Sequence, residues 1–209
     1  MKTLLLVGAT GLVGQSVLTQ ALADARIGDV TAPTRHPLPP HPKLLNPLVD
    51  FDALPADAPW WAVDGVICTL GTTIKKAGSP TAFRRVDHDY PLAVATLARR
   101  RGTAAFVLVS SLGADAASRT FYLRTKGETE RDLRALHFPS LTILRPSLIG
   151  GVRAERRPAE ALALRLCTAL PFLLPRRYRV VPAERLARAL LTAGFAARPG
   201  THVVESEAI

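Results

Sequence analysis

The chain has 209 residues, 48% of them hydrophobic and 21% charged, with a formal net charge of +10. That length suits one substantial core, and the composition excludes a disordered chain, a collagen-like chain and a small disulfide scaffold. The positive balance suits anionic partners in general, but no basic run exceeds three residues, so a dedicated nucleic-acid surface is not expected.

The first element is the apolar run Thr3–Val7, read as a strand and too short for a signal-peptide core before Gly8 interrupts it. It leads through Gly8-Ala9-Thr10-Gly11-Leu12-Val13-Gly14 into a helix over Gly11–Ala25. Gly8 permits a sharp turn, Gly11 lets the backbone approach a pyrophosphate without a Cβ in the way, and Gly14 lets the helix pack closely on the sheet. Free amides and the positive helix end favour an anion there. Gly8, Thr10, Gly11, Leu12, Val13 and Gly14 are therefore candidate cofactor contacts, in the GxxGxxG spacing associated with short-chain dehydrogenases/reductases.

The second strand, Asp29–Ala32, ends without the acid that would read a ribose 2′-hydroxyl, and Arg35 follows instead. A guanidinium at that place pairs with a 2′-phosphate, which points to NADP(H) over NAD(H). Pro33 to Pro59 reads as a loop-rich connection with a weak strand near Leu48–Phe51, and Trp60-Trp61 as a cap on the core. A strand over Gly65–Leu70 and a helix over Pro80–Arg101 come next. The closing Arg99-Arg100-Arg101 suits a helix C-terminus, and His88 reads as a surface histidine rather than a pocket residue.

The strand Ala105–Ser110 runs into Ser110-Ser111, at the sheet edge where open α/β folds bind ligands. In the next helix, Ser118–Leu136, Tyr122 and Lys126 lie one turn apart on one face. A phenol of reference pKa about 10 becomes an acid–base group near neutrality when an ammonium stabilises its phenolate. Tyr122 is thus the candidate acid–base, Lys126 its tuner and a ribose ligand, and Ser111 the substrate anchor.

A strand over Leu141–Leu144 precedes an arginine-rich stretch, residues 150–180, with an amphipathic helix over Ala159–Leu170. That stretch is read as a small substrate or lid segment within one domain spanning 1–209. A helix over Pro182–Ala197 and a strand over His202–Glu205 complete the chain. Strands alternating with helices predict an α/β, doubly wound, mainly parallel sheet, and runs such as Phe106-Val107-Leu108-Val109 suit strands buried on both faces. Cys68 and Cys167, far apart and without companion histidines, imply no disulfide framework and no metal site. With no long apolar span, the expectation is a cytoplasmic protein that is not transmembrane.

The glycine turn, Ser110-Ser111, Tyr122/Lys126 and Leu144-Arg145-Pro146-Ser147 together resemble the short-chain dehydrogenase/reductase superfamily, atypical or extended branch. Val86-Asp87-His88-Asp89-Tyr90-Pro91, Ser110-Ser111-Leu112-Gly113-Ala114-Asp115 and Tyr122-Leu123-Arg124-Thr125-Lys126-Gly127-Glu128 are similar to the Tat-interactive-protein-like NAD(P)H-binding oxidoreductases. The resemblance implies a Rossmann-type sheet with a short C-terminal substrate lobe and NADP(H) on the glycine turn. It implies Leu70, Gly71 and Thr72 beside the adenine ribose and pyrophosphate, and Pro146 and Ser147 beside the nicotinamide. The function expected is hydride transfer to or from a small carbonyl-type substrate by Ser111, Tyr122 and Lys126. The alternative is an NADPH-sensing regulator with little turnover that binds a protein partner; a homodimer is equally compatible.

Overall fold

In a computed structural model, residues 1–150 and 175–209 are described. The expected helix Ala159–Leu170 and most of the 150–180 segment lie outside them. Seven strands form one parallel sheet: β1 Lys2–Val7, β2 Ile27–Thr31, β3 Leu44–Leu45, β4 Gly65–Cys68, β5 Ala105–Val109, β6 Ser140–Arg145 and, last in the chain, β9 Gly200–Glu205. The short pair β7 Ile149–Gly150 and β8 Val181–Pro182 forms a separate parallel ribbon. Helices α1 Leu12–Ala23, α2 Ile74–Ala77, α3 Pro80–Arg84, α4 Tyr90–Arg100, α5 Phe121–Arg134 and α6 Ala183–Ala196 accompany them.

The strand order is β3-β2-β1-β4-β5-β6-β9, so the chain winds outward from β1 in one direction and then from β4 in the other. That reversal leaves a crevice beyond the carboxyl ends of β1 and β4, the place where such sheets bind ligands. Every residue of β4 and β5 is buried, as expected of strands covered on both faces. One face packs Val13, Val17 and Ala21 of α1 against Leu186, Ala187 and Leu190 of α6. The other sets Val94, Ala95 and Ala98 of α4 and Leu133 of α5 on Phe106, Leu108 and Ile143. Each buried valine, leucine or isoleucine among them stabilises the fold by about 1.5–3 kcal/mol. Trp61 caps this second face, fully buried, and its indole donates to the Pro55 carbonyl at 2.7 Å.

Two elements differ from the expectation. The third strand is not Leu48–Phe51 but Leu44–Leu45, paired with Val30 and Thr31. Pro47 has no N–H to give a ladder, and beyond it the pairing shrinks to an isolated bridge between Leu48 and Thr34. The expected helix Pro80–Arg101 is interrupted by a π-turn over Arg85–Asp89, where the Tyr90 amide reaches back to the Arg85 carbonyl. Pro91 explains the turn, because proline can neither donate to the carbonyl four residues back, Asp87, nor fit its ring against it.

Candidate active site

At the end of β1, Gly8 adopts φ +88°, and a Cβ there would sit 2.6 Å from Thr69 Oγ1. A Cβ on Gly14 would lie 2.0 Å from the Gly8 carbonyl oxygen, so the fold itself demands both glycines. Gly11 differs: it is exposed, has φ −79°, and its Cβ would meet only the Gly8 oxygen at 3.4 Å. Packing does not require glycine at that position, whereas close approach by a ligand does. Gly11 caps α1 without a side-chain hydrogen bond, and the first turn carries no acid. The amides of Leu12 and Val13, which open the helix, therefore present an uncompensated positive end beside the exposed Thr10. The residues present fit a dinucleotide phosphate.

Arg35 is exposed just past β2 and makes no ion pair among the described residues. The loop it stands on is held from beneath: Asn46 donates to the Ala32 carbonyl at 2.6 Å and to Thr34 Oγ1 at 2.8 Å. After β4, Leu70, Gly71 and Thr72 line the crevice, and the Thr72 amide donates to Asp87 Oδ2 at 2.7 Å. A Cβ on Gly71 would stand 3.4 Å from Asp87 Oδ1 and 3.6 Å from Lys126 Nζ.

The two serines at the end of β5 have different surroundings. Ser110 is buried and donates to Glu130 Oε1 at 2.6 Å, whereas Ser111 is half-buried, with only a long 3.4 Å contact to the Leu112 carbonyl. The geometry therefore leaves Ser111 the one able to turn to another partner. Tyr122 is half-buried on α5, its ring 5.6 Å from that of Phe83. Lys126, one turn on, is buried with Nζ 2.7 Å from Asp87 Oδ1. Burial by itself would lower the Lys126 ammonium, but the Asp87 carboxylate, with Tyr122 and Cys68, outweighs it and raises the group above the ordinary lysine value. Burial pushes the Cys68 thiol up to about 12, so it is inert as a nucleophile. The helix also lies hard against the loop after Ser111: a Cβ on Gly127 would stand 2.1 Å from the Ala116 amide nitrogen.

At the end of β6, Pro146 is buried, and its carbonyl accepts from the Leu112 amide at 2.9 Å. Ser147 is tied by its amide to Ser206 Oγ at 3.1 Å and by its hydroxyl to the Arg179 carbonyl. Gly8–Gly14, Leu70–Thr72, Ser111, Tyr122, Lys126 and Pro146–Ser147 thus all belong to the carboxyl end of the sheet. Arg35 belongs to the same end, beyond β2.

Sequence reasoning passed over two carboxylates. Asp87 entered only as part of a motif, and its side chain is fully shielded from water. Glu130 was not singled out, yet it accepts from Ser110 and from Arg145 Nε at 2.9 Å and Nη2 at 2.6 Å. The available signal was its place four residues after Lys126, on the helix stripe that already faces inward. His88, expected on the surface, is buried between Asp89 Oδ1 at 2.7 Å and Asp132 Oδ2 at 2.9 Å. Among the described residues no helix is long and apolar enough to cross a membrane.

No protein-family model matches the chain. It is 37% identical to the Rattus norvegicus protein HTATIP2, over 91% of this chain and 80% of that one. It is 36% identical to the mitochondrial protein fmp52 of Aspergillus fumigatus, over 96% of this chain and 90% of that one. Among solved structures, MoeE5 in complex with UDP-glucose and NAD superposes with a TM-score of 0.74 at 18% identity, over 96% of this chain and 74% of that one. A putative NAD-dependent epimerase/dehydratase from Bacillus halodurans gives 0.69 at 16% identity, over 99% and 94%. At such identities the structures speak for the fold. The relatives also overturn the cytoplasmic expectation, since the fmp52 proteins are named mitochondrial. Sparse cysteines separate reducing from oxidising surroundings, not one reducing compartment from another.

Proposed function

The chain belongs to the family of HTATIP2 and the fmp52 proteins, within the atypical short-chain dehydrogenases/reductases, and on that footing we propose that it is an NADPH-dependent oxidoreductase of a small carbonyl-type substrate. The observation that carries the reading is the meeting, at one end of the sheet, of the exposed Gly11 turn with Ser111, Tyr122 and Lys126. The amides of Leu12 and Val13 would hold the pyrophosphate, on a surface shaped by Gly8, Thr10, Gly11 and Gly14. Arg35 would pair with the 2′-phosphate. Leu70, Gly71 and Thr72 would flank the adenine ribose, with Pro146 and Ser147 on the nicotinamide side.

When bound, NADPH supplies hydride to the carbonyl carbon. Ser111 donates a hydrogen bond to the carbonyl oxygen and fixes its direction. Tyr122 gives its phenolic proton to that oxygen as charge builds there, so that the C=O becomes an alcohol. Lys126 stabilises the resulting phenolate, which recovers a proton from water.

The test is a calorimetric titration with NADPH and with NADH. NADPH is expected to bind at least about tenfold more tightly, roughly 1.4 kcal/mol for one charge-assisted pair, and Arg35→Ala to erase the difference. Equal affinity for NADH would remove the role of Arg35. Binding of neither would end the oxidoreductase reading.

A further inference from the structure

The π-turn at Arg85–Asp89 does more than interrupt a helix. It makes three contacts with one stripe of α5: Asp87 Oδ1 forms an ion pair with Lys126 Nζ at 2.7 Å, the Thr129 hydroxyl is shared between the Thr125 carbonyl at 2.8 Å and the Asp87 carbonyl at 3.0 Å, and His88 Nε2 meets Asp132 Oδ2 at 2.9 Å. Positions 126, 129 and 132 share one face of a helix. The Asp87 carbonyl is available to Thr129 because Pro91 has no amide hydrogen to occupy it. π-Turns of this kind recur where a helix must aim a side chain at a site.

The side chain so aimed is a carboxylate with no exposure, held by the Thr72 amide at 2.7 Å and by Lys126. A charge that deep requires a partner, and the ammonium requires one equally. A lone ammonium one turn from Tyr122 would draw the phenol strongly toward phenolate; one paired at 2.7 Å presents only the weaker field of a dipole.

We propose that Asp87 is a positioning residue that holds Lys126 and cancels part of its charge, so that Tyr122 rests in its protonated form, set to donate a proton in carbonyl reduction. The inference rests on the proposed role of Tyr122 as the acid–base. The titratable groups facing the ammonium are Asp87 from the π-turn, Tyr122 from its own helix and Cys68 from β4, and the thiol stays neutral across the working range. Against the Tyr122 ring, α3 sets the apolar Phe83, ring centroids 5.6 Å apart.

The chain has three tyrosines, so their phenol carbons can be followed singly by NMR in protein labelled at tyrosine, with Tyr122→Phe assigning the signal. Asp87→Asn keeps an acceptor for the Thr72 amide and deletes the charge. The Tyr122 midpoint is expected to fall by about one pH unit or more, with Tyr90 and Tyr178 unmoved. A purely structural role would lower thermal stability and leave the midpoint where it was. An unchanged or raised midpoint in folded Asp87→Asn overturns the proposal. Should that variant not fold, Lys126→Met reads the same coupling from the other side: the midpoint must rise, and a fall or no change overturns it. No nucleotide or substrate enters this titration, so a failure of the oxidoreductase reading would register separately, in the NADPH binding experiment.

Discussion

The β1–α1 turn and the cluster around α5 stand at the same end of the sheet but are built by different means. In the turn, geometry is set by backbone against backbone: the α1 side of the contact is a glycine whose Cβ would fall 2.0 Å from a carbonyl oxygen. Around α5, it is set by side chains drawn from four segments, with Glu130 and Asp87 each neutralised by a cation at 2.6–2.7 Å. A backbone device tolerates changes of charge and punishes added volume. A charged side-chain device does the reverse, because an orphaned buried charge costs more than a small void.

The severest challenge to that contrast lies at Glu130. Glu130→Ala should destabilise the protein by about 3–4 kcal/mol in urea denaturation, since Ser110 loses its buried acceptor and Arg145 keeps only Glu205, and Glu130→Gln by roughly half as much. If alanine costs no more than glutamine, the cluster is held by shape and not by charge. In the turn, Gly14→Ala should cost about 3 kcal/mol through overpacking, whereas Gly11→Ala should stay within about 1 kcal/mol of the parent yet bind NADPH at least about tenfold more weakly. Equal destabilisation by the two would show that Gly11 also serves the fold.

The smallest effect concerns acid. A hydrogen bond from Arg131 first, and His88 after it, outweigh burial and hold the Asp132 carboxyl below its ordinary value of 3.8. A carboxyl depressed on folding stabilises above its unfolded pKa, and that contribution is lost as pH falls through the folded one. Asp132→Asn should therefore flatten the acid limb of the stability curve below about pH 4 and leave the neutral region little changed. An unaltered acid limb would mean that the π-turn is held to α5 without the His88–Asp132 link.

Much of this architecture is legible one residue at a time. The four-residue apolar run of β4 and the five of β5 announce doubly covered strands. Three glycines after a strand announce the tight β1–α1 turn, and helical spacing puts Tyr122 and Lys126 on one face. The sequence offers two hydroxyls at the end of β5, and the fold separates them: Ser110 is buried against Glu130, whereas Ser111 is half-buried. Where expectations slipped, a proline stood in the segment: Pro47 displaced a strand, and Pro91 turned one long helix into two joined by a π-turn.

Periodicity and backbone sterics suffice for the order of strands and helices, for the glycine turn, and for the stripe that places Tyr122 and Lys126 together. These are local, since a missing Cβ or a 3.6-residue repeat acts within a few residues of itself. That Asp87 faces Lys126 across 39 positions of chain, that Glu130 gathers Ser110 and Arg145, and that His88 lies buried between two acids emerges only in the folded chain. Pairing of charges reads distance through space, in a medium whose polarity the fold itself creates, and so it comes into being only once the sheet has brought its far-apart segments to one edge.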